Sequence, residues 1–160
     1  MTGSLYFEDL EVGQRFVSHA RTVTEADVVG FAGLSGDFNP IHMDQEFAAR
    51  GMFGRRVAHG LLGISIATGM IDNLGLFRAS MGAMLGIDGW TFKAPLYIGD
   101  TIHLEMSIES KRLTKAGDRG VVQRRVQLVN HGDVVVQEGL ITVLILCRGA
   151  SADPVRSAHP

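Results

Sequence analysis

The order of apolar and polar residues predicts helices in the first half of the chain and strands in the second half. Residues 14–23 fit a strand. Thr24, followed three residues later by Asp27, has the form of a helix capping box, so a helix is expected from there to about Leu34. Gly, Asn and Pro residues then end this helix within residues 35–40, because all three favour turns.

The longest predicted helix covers residues 59–73, after a short one near residues 44–50. When its residues are placed at 100° steps, the apolar side chains cover a broad arc. Ser65, Thr68 and Asp72 form a narrow polar stripe. Three glycines in this helix each cost about 1 kcal/mol relative to alanine. We therefore expect them to allow close packing against a sheet.

Alternating apolar and polar positions predict an antiparallel set of strands in the second half. The expected strands are residues 90–96, 102–109, 121–129 and 134–147, with turns at 99–100, 115–118 and 130–133. Residues 75–82 are expected to form a loop. The last strand is apolar on both faces, which indicates a central position in the sheet. One antiparallel sheet over one apolar helix is an α+β arrangement, and a dimer would cover the surfaces left open.

A chain of 160 residues, with 46% hydrophobic and 20% charged residues, is expected to form one globular domain. We place this domain at residues 1–148 and expect a flexible C-terminal tail over residues 149–160. The 15 basic and 17 acidic residues give a net charge of -2. This balance excludes the strongly basic field on which nucleic-acid binding depends.

The apolar segments are too short to span a bilayer, and the N-terminal residues lack the pattern of a signal peptide. A soluble cytoplasmic protein that binds no membrane is therefore expected. Cys147 is the single cysteine and lies in an apolar strand, so we expect it to be an unreactive core residue.

The densest group of polar side chains in apolar surroundings lies within residues 31–42. Asp37 and His42 stand five residues apart across a turn that Pro40 restricts. A constrained loop can hold a carboxylate and an imidazole in a fixed relation, and catalytic residues often occupy such loops. Asp and Asn also stabilise ordinary turns. The spacing alone therefore leaves a catalytic and a purely structural interpretation open.

A longer motif surrounds this pair. It reads Ser35-Gly36-Asp37-Phe38-Asn39-Pro40-Ile41-His42, followed by Phe47-Ala48 and by His59-Gly60-Leu61-Leu62. The motif and the later residues 92–100 resemble the MaoC-like dehydratase, or (R)-specific enoyl-CoA hydratase, family, and the resemblance extends to about Arg148. It implies a hot-dog fold, in which an antiparallel sheet wraps around a long central helix. Such chains usually form homodimers or higher assemblies of dimers.

The resemblance also implies an activity. The chain would add water to a 2-enoyl thioester, or remove it from a 3-hydroxyacyl thioester, carried on coenzyme A or acyl-carrier protein. Asp37 and His42 would act on the water, and the Gly60 amide would bind the thioester oxygen at the start of the long helix. The first N–H groups of a helix are unpaired and suit that task. Thr68 matches a serine of many relatives and would place a hydroxyl near the carboxylate, unless it bonds within its own helix.

The remaining polar residues of this region have weaker assignments. Asn39 is expected to shape the loop, and His59 to cap the long helix or orient the loop. The basic residues Arg50, Arg55 and Arg56 would either meet the phosphates of coenzyme A or remain on the solvated surface. Asp37, His42, Asp44 and His59 lack the spacing of zinc and two-metal motifs, so no metal site is expected. No cofactor is expected either, because coenzyme A or pantetheine belongs to the substrate.

Two other functions fit a hot-dog chain: an acyl-CoA thioesterase, and a non-catalytic subunit of a heteromeric dehydratase. The presence of both Asp37 and His42 favours the hydratase over either. The length of the acyl group, its carrier and the physiological direction do not follow from the sequence.

Overall fold

The computed structural model describes residues 3–150, so most of the predicted C-terminal tail lies outside the described residues. The helices of this part are α1 (Glu25–Ser35), α2 (Pro40–Met43), α3 (Gln45–Ala49) and α4 (Gly60–Asn73). The strands are β1 (Arg15–Val17), β2 (Arg21–Thr22), β3 (Met81–Phe92), β4 (Thr101–Leu113), β5 (Arg119–Asn130) and β6 (Val135–Leu146). None of the helices within residues 3–150 combines the length and the apolar character that crossing a membrane requires.

The strands form one antiparallel sheet in the order β1-β4-β5-β6-β3, and β2 also pairs with β4. The predicted central position of β6 is confirmed, because β6 lies between β5 and β3. The prediction of one strand over residues 14–23 is wrong in part. It forms two short strands, since the Ser18 hydroxyl accepts the Leu104 N–H at 2.9 Å and so replaces a backbone carbonyl of the ladder.

Helix α4 lies across the sheet and contacts β4 and β5. The inward side chains of β4 alternate as predicted, with Ile102, Leu104, Met106 and Ile108 buried in one core with the apolar arc of α4. A Cβ atom at Gly63 would lie 2.2 Å from Gln137 Nε2, so the predicted close packing holds there. A Cβ atom at Gly69 would meet no atom within 4 Å, so the expectation of close packing is wrong at that position. Cys147 is buried, and burial raises the pKa of its thiol.

Strand β3 differs most from the prediction. It begins at Met81, inside the expected loop, and ends at Phe92, whereas a strand was expected from residue 90 to residue 96. Glycines and three register shifts break its alternation, which hides the strand from a search for period two. The chain leaves the ladder after Phe92 because Lys93 and Ala94 donate to one carbonyl, that of Val136, at 2.9 and 3.2 Å.

The first helix is confirmed together with its cap. The Thr24 hydroxyl accepts the Asp27 N–H, and the Asp27 carboxylate accepts the Thr24 N–H at 2.8 Å. Helix α3 is confirmed at the predicted position, but the sequence patterns did not predict α2. Pro40 directly after Asn39 is the signal that indicates it, because proline suits the first position of a helix and asparagine suits the cap.

Candidate active site

The motif around Asp37 folds as the end of α1 and the start of α2. Gly36 ends α1 with a φ of 77°, a left-handed conformation that glycine adopts without strain. Asn39 caps α2 through its side-chain oxygen, which accepts the Ile41 N–H at 3.1 Å. Asp37 lies between these two helix ends and accepts the Asn39 N–H at 3.2 Å. Asn39 thus shapes the loop that carries Asp37.

His42 lies on α2 with only 7% of its surface exposed. Its Nδ1 atom is 2.8 Å from the Val57 carbonyl oxygen. A carbonyl can only accept, so the neutral imidazole carries its proton on Nδ1 and leaves a lone pair on Nε2. The Val57 carbonyl is itself fixed, because Val57 donates to Ile41 of α2 and Ala58 donates to Leu96.

The free nitrogen of His42 faces the carboxylate of Asp37. The distance from His42 Nε2 to Asp37 Oδ2 is 3.9 Å, longer than a hydrogen bond. A water molecule beside the pair can therefore lie about 2.8 Å from both atoms. The Asp37 side chain is 52% exposed and that of His42 is 9% exposed, so Asp37 contacts solvent whereas His42 lies in the protein interior.

His59 fixes both members of the pair. Its Nε2 atom donates to the Asp37 carbonyl oxygen at 2.9 Å. Its ring stacks on the ring of His42 with a centroid distance of 3.8 Å, and the ring of Phe31 lies 5.0 Å away. His59 makes no side-chain cap to α4. Of the two roles considered from sequence, the geometry therefore supports orientation of the loop.

Asp37, His42 and His59 each place a potential metal-ligand atom within 4.8 Å of the others. The two imidazoles are stacked at an interplanar angle of 28°, so their in-plane lone pairs run side by side instead of converging on one point. His42 Nδ1 and His59 Nε2 are also engaged with carbonyl oxygens. This arrangement suits proton transfer by one imidazole supported by another better than it suits metal binding.

A cleft of about 360 Å³ opens beside His42. Its walls include Phe53 and Val57 before α4, Gly60 at the start of α4, and Gln137 of β6, together with the segment that follows β3. Most of the lining is apolar, with few polar groups, as is typical of small-molecule sites. The predicted oxyanion donor, Gly60, and the predicted base, His42, therefore share one cleft.

Gln137 is a residue of this cleft that the sequence patterns did not single out. Its side-chain amide donates to the Gly60 carbonyl at 3.2 Å and its oxygen accepts the Trp90 indole N–H at 3.2 Å. Gln137 is 2% exposed, so these contacts hold the first residue of α4 against the sheet. The available signal was an amide on the face of β6 that is otherwise formed by Gly139, Ile141, Val143 and Ile145.

The three arginines singled out from the sequence have different surroundings. Arg56 binds both carboxylate oxygens of Glu25 on α1, and this hydrogen-bonded pair lowers the pKa of Glu25 and raises that of Arg56. Arg56 is therefore occupied and is not a free phosphate ligand. Arg55 stacks on the ring of Tyr97 at 3.8 Å, and the Tyr97 hydroxyl donates to the carbonyl of Phe53 in the cleft wall. Arg50 is exposed.

Thr68 does not lie beside the pair in this chain. Its hydroxyl donates to the Ser65 carbonyl at 2.8 Å, which is the alternative of a bond within its own helix. Eight residues of helix separate it from Gly60, a rise of about 12 Å. Thr68 instead lines a second cavity, of about 330 Å³, near the other end of α4.

Comparison with known proteins gives the family to which this geometry belongs. Residues 9–131 match the family model described as MaoC like domain. The chain is 37% identical over 154 residues to the 3-hydroxybutyryl-CoA dehydratase of Methylorubrum extorquens, a match that covers 94% of this chain and 90% of that protein. It is 35% identical over 144 residues to an (R)-specific enoyl-CoA hydratase of Rhodospirillum rubrum, covering 90% and 94%.

Solved structures agree with this result. The MaoC-like dehydratase from Rhodospirillum rubrum is 30% identical with a TM-score of 0.79, and the match covers 91% of this chain and 99% of that one. A Mycobacterium tuberculosis protein with a double hotdog fold, 22% identical over 92% of this chain and 46% of that one, also gives a TM-score of 0.79. This second likeness confirms the predicted fold. The motif around Asp37, the fold and the sequence matches together establish that the chain belongs to the MaoC-like dehydratase family.

Proposed function

We propose that this chain is a hydro-lyase that adds water to a 2-enoyl thioester, or removes it from the 3-hydroxyacyl thioester, in the cleft beside His42. The observation that carries the proposal is the free Nε2 atom of His42, 3.9 Å from Asp37 Oδ2, in the same cleft as Gly60. The names of the two matched relatives support the same reaction class.

The geometry supports a role for each group. His42 Nε2 accepts one proton of the water, and the Asp37 carboxylate accepts a hydrogen bond from the other, so the water oxygen adds to Cβ of the enoyl group. Electrons then move to the thioester oxygen, where the Gly60 N–H stabilises the negative charge. The proton on His42 is transferred to Cα, which completes the addition of one water. Dehydration follows the same steps in reverse.

The test is removal of each member of the pair in separate variants, Asp37→Asn and His42→Ala. Each change is expected to lower kcat for crotonyl-CoA by about 10²–10⁴-fold, since a positioned acid or base contributes that much. Loss of the conjugated enoyl absorbance measures the reaction. His131→Ala and Asp133→Asn change the same residue types in the β5–β6 turn, outside the cleft, and serve as controls. Wild-type turnover by both site variants would contradict the mechanism.

The same reactions separate the alternatives. A thiol reagent detects free coenzyme A, which a thioesterase releases and a hydratase does not. The chain is assayed alone, so a subunit that is inactive without a different partner would show no turnover in the wild type. Water addition without thiol release supports the proposal. Thiol release, or inactivity of the pure chain, would exclude it.

We further propose that two copies pair through the free edge of β3. This strand has 12 residues and lies at the end of the sheet. It exposes an unusual number of apolar side chains, namely Met81, Met84, Leu85, Ile87 and Phe92. A long apolar edge strand is a ready site for pairing with another chain. A dimer, or an assembly of dimers, would cover this edge.

A further inference from the structure

The second cavity lies near the C-terminal end of α4, outside the cleft that contains His42 and Gly60. Its volume is about 330 Å³. Most of its wall is apolar, with contributions from Ile71 of α4, Met81 and Met84 of β3, and Val143 of β6. Among its lining residues, Arg124 on β5 is the one charged residue that is buried. We call this space the Arg124 cavity.

Arg124 occupies a core-facing position of strand β5. Residues 122, 124 and 126 of β5 all face inward, and the other two are valines. The residues paired with Arg124 on the neighbouring strands are Ile108 and Ile141. Only 2% of Arg124 is exposed. A purely structural role at this position would be met by an apolar residue, since burial of a guanidinium is costly without a partner.

The guanidinium lacks the partners that such burial requires. Within the described residues, its Nε and Nη1 atoms are enclosed and have no hydrogen-bond partner. The centre of the Phe77 ring lies 5.8 Å from the guanidinium carbon, and this ring supplies no nitrogen or oxygen acceptor. Desolvation lowers the pKa of Arg124 to about 10, so the group still carries its charge at neutral pH. Asp72 and Arg78 also line the cavity, but both are exposed.

These features specify the chemistry of a ligand. The planar guanidinium presents paired N–H donors that match a carboxylate. The apolar wall suits a short hydrocarbon body and disfavours a strongly hydrated ion such as inorganic phosphate. We propose that the Arg124 cavity binds the carboxylate of a small organic acid, with its hydrocarbon part against Ile71, Met81 and Met84.

Two sources can supply this carboxylate, a free carboxylic acid or the far end of an acyl thioester. The second source rests on the proposed function, because it would make the chain a hydratase of carboxylate-bearing acyl groups. The cavity lies about 12 Å along α4 from Gly60, judged from the helical rise to Thr68. Strand β3 forms one of its walls and is also the edge proposed to pair, so a second copy would lie beside it.

The experiment measures binding of unreactive ligands to the full chain by titration calorimetry. Glutaryl-CoA and valeryl-CoA have acyl groups of equal length and differ in a terminal carboxylate against a methyl group. Hexanoate tests the free-acid source. Wild type is expected to bind glutaryl-CoA, hexanoate or both. If the thioester is the source of the carboxylate, glutaryl-CoA should bind at least about tenfold more tightly than valeryl-CoA. Binding of hexanoate without that preference assigns the site to free acids.

Arg124→Met and Arg124→Gln are expected to abolish the carboxylate-dependent binding. Arg125→Met is the matched control, because Arg125 is the next residue on the same strand, is exposed and pairs with Glu109 at 3.2 Å. The proposal is overturned if Arg124→Met still prefers glutaryl-CoA to valeryl-CoA. It is also overturned if the Arg124→Met variant sediments as a smaller species than wild type, because the guanidinium would then serve assembly. It is also overturned if wild type binds glutaryl-CoA and valeryl-CoA equally and does not bind hexanoate, a result that requires no variant to fold.

Hydration of crotonyl-CoA is measured on the same preparations. Saturated thioesters cannot be hydrated, so the difference in binding between glutaryl-CoA and valeryl-CoA reports on the Arg124 cavity whether or not the chain adds water to an enoyl group. A chain that hydrates crotonyl-CoA but ignores carboxylates would refute the cavity proposal alone. A chain that binds carboxylates through Arg124 without hydrating any enoyl thioester would refute the proposed function alone.

Discussion

At the residue scale, the roles of the two histidines follow from which atom each hydrogen bond occupies. The Val57 carbonyl engages His42 Nδ1 and leaves Nε2 free, whereas the Asp37 carbonyl engages His59 Nε2. His42 can therefore exchange a proton at the cleft, while His59 is held as a positioning residue between Phe31 and His42. These two residues of the same type, 17 positions apart in the sequence, differ in which ring nitrogen is engaged because their surroundings differ.

Arg55 yields a prediction about the carrier of the acyl group. Its guanidinium lies on the face of Tyr97 beside the cleft wall, and unlike Arg56 it is not paired with Glu25. We predict that Arg55 binds a phosphate of coenzyme A. Arg55→Ala is then expected to raise KM for an enoyl-CoA several-fold and to leave kcat nearly unchanged, because a phosphate contact lies away from the reacting atoms. Steady-state kinetics with crotonyl-CoA measure this change.

Crotonyl-pantetheine is the matched control substrate for Arg55, because it carries the same acyl group and thioester without the phosphates. Its KM should be the same for wild type and Arg55→Ala. An equal rise of KM for both substrates would show that Arg55 acts through the cleft wall and not through a phosphate.

At the element scale, the first helix supports the site by its two ends. Its N-terminal residue Glu25 binds Arg56, and its C-terminal turn leads directly into Asp37. Phe31, on the same helix, lies beside the ring of His59. The helix that begins at this cap therefore ends at the site, more than ten residues later in the sequence.

Thr24→Ala removes the side-chain oxygen that accepts the Asp27 N–H. The loss of a threonine cap costs about 0.5–2 kcal/mol in the free energy of unfolding. For a chain of this size that corresponds to a fall in Tm of roughly 2–4 °C per kcal/mol. Thermal unfolding followed by circular dichroism measures the change. Ser110→Ala, at an exposed position of β4, is the control and should leave Tm unaltered.

At the scale of the whole molecule, the sheet order determines how the two cavities are related. Strand β6 carries Gln137 into the cleft and Val143 into the Arg124 cavity, so one central strand lines both. Helix α4 lies over the sheet and supplies Gly60 to the first space and Ile71 to the second. Because β3 is an edge strand and also lines the Arg124 cavity, a second copy paired with β3 would lie beside that cavity.

Leu85→Lys tests the proposed assembly. The leucine is 50% exposed on β3, and a charged side chain on an edge strand opposes pairing with another chain. Sedimentation velocity is expected to show a dimer or larger species for wild type and a shift toward monomer for the variant. Val134→Lys is the matched control, because Val134 is a similarly exposed apolar residue, at 48%, outside β3. A wild-type monomer, or dissociation by both variants, would contradict pairing through β3.

The sequence by itself determined those features that depend on residues close together in the chain. The capping box at Thr24, the alternation of β4 and the central position of β6 follow from local backbone geometry and periodicity, and the structure agrees with each. The motif at residues 35–42 identified the family. Strand β3 escaped detection because its glycines and register shifts remove the period that reveals a strand.

Only the tertiary structure decided which distant groups meet. His59 reaches the Asp37 carbonyl across 22 residues, and Gln137 reaches Gly60 across 77. Arg124 is an unremarkable polar residue in the sequence, yet it becomes a buried charge beside a cavity once β5 pairs with β4 and β6. Such contacts depend on the register of the sheet and on the packing of α4 against it. Both are properties of the whole folded chain, so no local pattern of residues encodes them.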